Sequence, residues 1–283
     1  MPFFVWVFVF IFGAIVGSFF NVVLLRKNTG EKIAYGRSRC FSCGRELRWN
    51  HNIPLVSFVI LRGRCAYCKS KISLQYPIVE FLVGVLAVFV FLKPLPTLFF
   101  LPVAFYPLFS TFYFLAFSSL FLVAMYDART KIIDGKLLFV FSVFACLNAA
   151  FRWFDAYNNG VSVLILYDAI AALSIWFFFW ALCFFSNGKW IGRGDSNFAF
   201  WCSIFLGAKQ SVAMVLLSYW IGGVFGIAIL LVSFLLKKLS KRSIGVSLKT
   251  EIPFAPFLAL GVFVSWVFGV NFELLVAIFF LWI

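Results

Sequence analysis

Residues 2–25 read PFFVWVFVFIFGAIVGSFFNVVLL, a stretch without a single charge. As a helix it would extend about 36 Å, enough to cross a hydrocarbon layer of about 30 Å. Further apolar runs follow at roughly 77–92, 98–126, 136–152, 167–186, 196–208, 210–236 and 253–270. Inside hydrocarbon the backbone has no water to bond, so each run is expected to close its hydrogen bonds internally as a helix. The fold class implied is an all-α polytopic membrane protein with about eight transmembrane helices. The third run is long and contains Pro107, where a tilt or break is expected, and the sixth is short for a full crossing. The closing ELLVAIFFLWI is too short for another crossing and is expected along the interface. The first run lacks a basic preceding region and a small-residue cleavage site, so it reads as a retained helix rather than a signal peptide. Only 12% of the chain is charged, half the share of an ordinary soluble domain.

The net charge of +14 raises the question of nucleic acid. Its distribution answers differently. If the loop between the first two runs is cytoplasmic, alternation puts 127–136, 187–195 and 237–252 on the same side. Those four segments carry all the basic residues except Lys93, Arg152 and Lys209, or 21 of 24. Such a bias is the positive-inside rule at work, and the expected partner is anionic membrane lipid, with no nucleic acid. The expected organisation is a first helix at 1–26, a soluble cytoplasmic loop domain at 27–76, and a membrane core at 77–283.

The loop contains CFSC (Cys40, Cys43) and CAYC (Cys65, Cys68). Two CxxC pairs at this spacing suit a tetrahedral zinc ion held by four thiolates. A disulfide framework is the competing reading, disfavoured in a reducing compartment. A loop of about fifty residues builds a weak core, so a structural metal is physically reasonable. Four thiolates leave no open coordination position, so such a site staples and does no chemistry. Cys146, Cys183 and Cys202 lie in apolar runs and read as small apolar residues.

His51 is the only histidine, which argues against a Ser-His or Cys-His catalytic pair and leaves carboxylates. Asp127 ends the third run in MYDARTKIID, and Asp195 follows the fifth in WIGRGD. Both fall at the same membrane boundary, where an acid is costly and therefore a functional candidate. Two neighbouring carboxylates share a proton, so one can take a proton from water while the other hydrogen-bonds a carbonyl. Gly192 and Gly194 offer unusual backbone angles and room beside Asp195 for a substrate strand. The plainer alternative is that both acids sit at loop edges, paired with Arg129 and Arg193.

These residues resemble the type IV prepilin leader peptidases, membrane aspartic proteases of the GxGD type. The likeness extends over most of the chain: GAIVGSFFNVVLLR (13–26), NIPLVSFVILRGRCAYCKSKISLQYPIVE (52–80), DARTKIID, GRGD and IPFAPFLALG (252–261). The resemblance implies an enzyme of the bacterial inner membrane that cuts the basic leader from prepilins or pseudopilins at the cytoplasmic face. Asp127 and Asp195 would be its catalytic pair. It also implies methylation of the new N-terminus from S-adenosylmethionine, with Asn21, Asn52 and Glu80 as candidate cofactor-binding residues. Asn21 and Asn52 as caps, and Glu80 paired with a loop lysine, are the alternative readings. Glu46, Glu80 and Glu251 are candidate docking acids for a basic leader. Two departures stand out: Asp134 occupies the place of the family's proline, making it a rival for the catalytic role, and Asn197-Phe198 replaces a Lys-Leu pair after GRGD. Other readings of the same fold are an inactive membrane assembly factor and a peptidase without methyl transfer. Oligomeric state is not legible.

Overall fold

A computed structural model of the chain describes residues 3–30, 32–33, 36–93, 106–161, 163–240 and 252–281. Among these residues the protein is helical, with no strand beyond two isolated β-bridges. The helices are α1 Phe3–Arg26, α2 Val56–Ile60, α3 Gln75–Leu92, α4 Tyr106–Thr130, α5 Gly135–Asn158, α6 Val163–Phe185, α7 Arg193–Leu206, α8 Ala208–Ser240, α9 Ala255–Phe268 and α10 Phe272–Leu281. Six of them, α1, α3, α4, α5, α6 and α8, are long and apolar enough to cross a membrane. The protein is a multi-pass membrane protein. All eight expected runs are helices. Residues 98–105 of the third lie outside the described residues, and with them the tilt or break expected near Pro107. Pro107 stands in the first turn of α4, where a missing N–H costs nothing. The chain divides into two compact units, Met1–Ser118 and Ser119–Ile283.

In the first unit, α1 and α3 pack through small residues. A Cβ added at Gly13 would lie 2.6 Å from the Val83 carbonyl oxygen, and one at Gly17 would lie 2.8 Å from the Glu80 Cα. Lipid supplies no hydrophobic drive between helices, so close backbone approach and van der Waals contact hold them together. Gly13→Leu is expected to cost about 3 kcal/mol or more, since the obstruction is backbone that cannot rotate away. Thermal unfolding of the purified chain would show this as a lowered Tm.

The second unit is organised around α7, which is only 14 residues or about 20 Å long. It ends at Gly207 (φ +84°), and α8 starts at once with Ala208. This corner leaves carbonyls at the end of α7 and an amide at the start of α8 without helical partners. Neighbouring helices supply them. Arg152 Nη2 donates to the Ile204 carbonyl (2.7 Å) and Asn148 Nδ2 to that of Phe205 (2.7 Å), both from α5. Asp168 of α6 accepts from the Ala208 amide (2.7 Å) and from Trp153 Nε1 (2.9 Å), and pairs with Arg152 Nη2 at 3.2 Å. Asp168 is fully enclosed, at 1% exposure. Helix α9 closes on α8 through Gly261, where a Cβ would lie 2.6 Å from the Met214 carbonyl oxygen. Cys183 and Cys202 are buried here as small apolar residues, whereas Cys146 is exposed.

Candidate active site

The two acids singled out in the sequence meet in the second unit. Asp127 lies in the last turn of α4 and Asp195 in the first turn of α7. Asp195 is the third residue of its helix, and its Oδ2 accepts from the Gly192 amide at 3.0 Å, capping the turn. Asp127 accepts from the Ala255 amide at the start of α9. Its Oδ2 is buried with no hydrogen-bond partner among the described residues, a costly arrangement for a carboxylate oxygen unless a proton or a ligand meets it. Burial, and then the charge of Asp127 beside it, push the Asp195 carboxyl up from 3.8 to about 6, against the opposing pull of the Gly192 amide. The acids are therefore electrostatic neighbours, although 68 positions apart in the sequence.

The unusual backbone angles expected of the two glycines are not found. Neither has a positive φ, and Gly192 is in extended backbone open to any residue. Gly194 is needed for close approach: a Cβ there would lie 3.0 Å from Ile133 Cβ. Ile133 belongs to the turn after Asp127, so Gly194 lets the two acid-bearing segments touch. Asp134, the rival acid, is the N-cap of α5, where its Oδ1 accepts from the amides of Lys136 (2.9 Å) and Leu137 (3.0 Å). Asn197, in place of the family's lysine, accepts from Trp176 Nε1 at 3.1 Å, which ties α7 to α6.

Sequence reasoning missed Tyr219 of α8. Its ring packs on Phe254 (5.1 Å) and stacks on Phe179 (6.2 Å), and it lies within range of the charge on Asp195. Phe254 directly precedes the Ala255 amide that holds Asp127. The available signal was one phenol in a membrane-length helix, too weak to separate from lipid-facing aromatics.

The first unit contains a second constellation. Sγ atoms of Cys40, Cys43, Cys65 and Cys68 all lie within 4.8 Å of one another, and the thiols are free. Four thiolates around a tetrahedral metal with bonds of about 2.3 Å sit about 3.8 Å apart; the Cys40–Cys68 separation is 3.8 Å. The two CxxC turns are copies of one local structure. In each, the first cysteine amide is bonded five residues on (Cys40 to Arg45, Cys65 to Ser70), with a left-handed residue four positions after it, Gly44 in one and Lys69 in the other. Bridges Arg39–Glu46 and Arg64–Lys71 flank them equivalently. Backbone amides point at the sulfurs, and that of Cys43 in particular draws the Cys40 thiol down to about 6. This donor set fits a closed tetrahedral metal site.

Beside it opens a cavity of about 790 Å³ lined by residues of α1, α2, α3 and the cysteine loop. Asn21, Asn52 and Glu80 all line it. Asn21 is buried and donates to the Tyr76 carbonyl at 3.2 Å, and among the described residues its Oδ1 has no hydrogen-bond partner. Asn52 donates to Ser38 Oγ at 3.2 Å. Glu80 accepts from the Leu55 amide at 2.8 Å and is bonded by Ser18, so its partners are not a loop lysine. Neither asparagine's side chain caps a helix. Of the docking acids, Glu46 is exposed and lies 3.6 Å from Arg37, and Glu251 lies outside the described residues.

Comparison with known proteins is consistent along the chain. A family model described as the bacterial peptidase A24 N-terminal domain matches residues 11–94, and the type IV leader peptidase family matches residues 114–227. The prepilin leader peptidase/N-methyltransferase of Myxococcus xanthus is 50% identical over 80 residues, which is 28% of this chain and 24% of the relative. The proteins of the same name from Dichelobacter nodosus and Bacillus subtilis are similar over more of their length. The first is 25% identical over 93% of this chain and 91% of its own. The second is 27% identical over 92% and 93%. No solved structure matches.

Proposed function

Because the chain belongs to the type IV leader peptidase family, we propose that it cuts the basic leader from prepilins or pseudopilins with Asp127 and Asp195 as an aspartic pair. The observation that carries this reading is the electrostatic proximity of the two acids, Asp127 buried with an oxygen unpartnered among the described residues and Asp195 half-buried, each aligned by a backbone amide. One carboxylate takes a proton from water as the water oxygen bonds to the scissile carbonyl carbon. The protonated partner hydrogen-bonds the carbonyl oxygen. The C–N bond then breaks as the nitrogen takes up a proton, leaving a new carboxylate and a free amine. A reconstituted chain should cut a prepilin N-terminal segment in liposomes. No turnover would favour the inactive assembly factor.

Asp195 holds the shared proton up to about pH 6, and the singly protonated pair is lost as the pH rises through that value. Cleavage is expected to decline on the alkaline side with an apparent pKa of about 6, read from kcat/KM against pH. Stability moves the same way. A carboxyl raised in the folded state favours folding below its ordinary 3.8, and that contribution is lost as the pH rises through about 6.

The charge bias of 21 basic residues in 24 supports a bacterial inner-membrane location, with both the cysteine loop and the acid pair facing the cytoplasm and anionic lipid around them. The four cysteines are read as a structural zinc site in a loop domain at 27–76. Metal analysis should find one zinc per chain, and Cys65→Ser should lose it together with the order of the loop. The cavity supports the second activity. S-adenosylmethionine would supply a methyl group to the new amine. Asn21, Asn52 and Glu80 would bind and orient the donor, with the free Asn21 Oδ1 and the Glu80 carboxylate accepting from its ammonium group. Asn21→Leu is expected to abolish donor binding measured by calorimetry while leaving leader cleavage intact. Intact mass of the cut product separates a bifunctional enzyme from a peptidase alone.

A further inference from the structure

Helix α2 has two unlike faces. Ser57 is buried, and Ser57, Phe58 and Leu61 line the cavity. Val56, Val59 and Ile60 share the opposite face at helical spacing and are 49%, 73% and 72% exposed. Trp49, just before α2, is 82% exposed. In water such a stripe would be a liability, but its height in the fold is fixed. The amide of Leu55, immediately before α2, bonds the Glu80 carboxylate at 2.8 Å. Glu80 is the sixth residue of α3, about 8 Å along a membrane-length helix from its start. Leu55 holds a rare positive φ (60°) with a 2.6 Å bond from the Val56 amide to the Pro54 carbonyl, a tight γ-turn that swings α2 off this anchor. Exposed Arg62, Arg64, Lys69 and Lys71 follow, whereas residues 27–74 contain only two acids, Glu31 and Glu46.

We propose that α2 is an interfacial helix: its Val56–Val59–Ile60 face, with Trp49, lies in the headgroup boundary of the bilayer, and its inner face walls the cavity. An apolar stripe followed by exposed cations, held level with the start of a membrane helix, is the chemistry of a lipid surface. The consequence is a cavity that opens beside the membrane surface.

The test places a nitroxide on Val59→Cys in the full chain, metal-loaded and carrying Cys146→Ser, in vesicles of phosphatidylethanolamine and phosphatidylglycerol. A nitroxide on Glu46→Cys serves as the water-exposed control. At position 59, collisions with oxygen are expected to exceed those with a water-soluble nickel chelate severalfold, with the reverse at position 46. Ile60→Cys should repeat the result, guarding against one misfolded variant. Nickel access at 59 equal to that at 46 would place the stripe in water and overturn the proposal. Shielding of 59 from both agents would show a protein cover and overturn it equally.

Discussion

Asp127→Asn and Asp195→Asn are each expected to slow leader cleavage by roughly 10³-fold or more, with the fold intact. Asparagine keeps the size of aspartate and an acceptor oxygen. It can still take the Gly192 amide at 195 and the Ala255 amide at 127, so the ends of α7 and α9 stay aligned. What it cannot do is hold or pass a proton. Because the two acids work as a unit, the double variant should be little slower than either single one. Steady-state cleavage of a prepilin segment by the four proteins in liposomes, with Tm measured alongside, checks this. Multiplicative losses would mean that the acids act independently.

Asp168→Ala is expected to destabilise the second unit by about 3–5 kcal/mol, the usual range for breaking a buried ion pair. The residue is enclosed and answers three donors: the Ala208 amide, Trp153 Nε1 and Arg152 Nη2. Removing it strands a half-buried guanidinium and the amide that starts α8. Asparagine should fare nearly as badly, because its NH₂ would face donors with nothing to accept it. Denaturant or thermal unfolding in detergent would read the loss. The α7–α8 corner also fixes one end of the helix whose other end carries Asp195, so cleavage should weaken with stability.

The helices were legible because the apolar runs are long, and a membrane allows such runs little besides helix. The four cysteines were legible because a metal needs its ligands in a recognisable spacing. Partnership was far less so. Arg152 and Asp168 are separated by an interhelical turn and carry no motif; only packing reveals that they cap a corner between two other helices. Gly194 looked like a residue chosen for backbone freedom, yet its φ is ordinary and its smallness is needed by Ile133. Asp134 looked like a rival for the catalytic role, and its two amide partners show it to be a cap. Glu80, for which pairing with a loop lysine was the alternative reading, accepts instead from a tight turn in the loop. In each case the residue type was informative and the partner, set by contacts remote in sequence, was not.

Infrared titration of the chain labelled with ¹³C-aspartate tests the shared proton most directly. The account predicts a protonated carboxyl persisting up to about pH 6, lost in Asp195→Asn and shifted to lower pH in Asp127→Asn, where the neighbouring charge is gone. A carboxyl at Asp195 that titrates unchanged when Asp127 is replaced would show two isolated acids and contradict the pair.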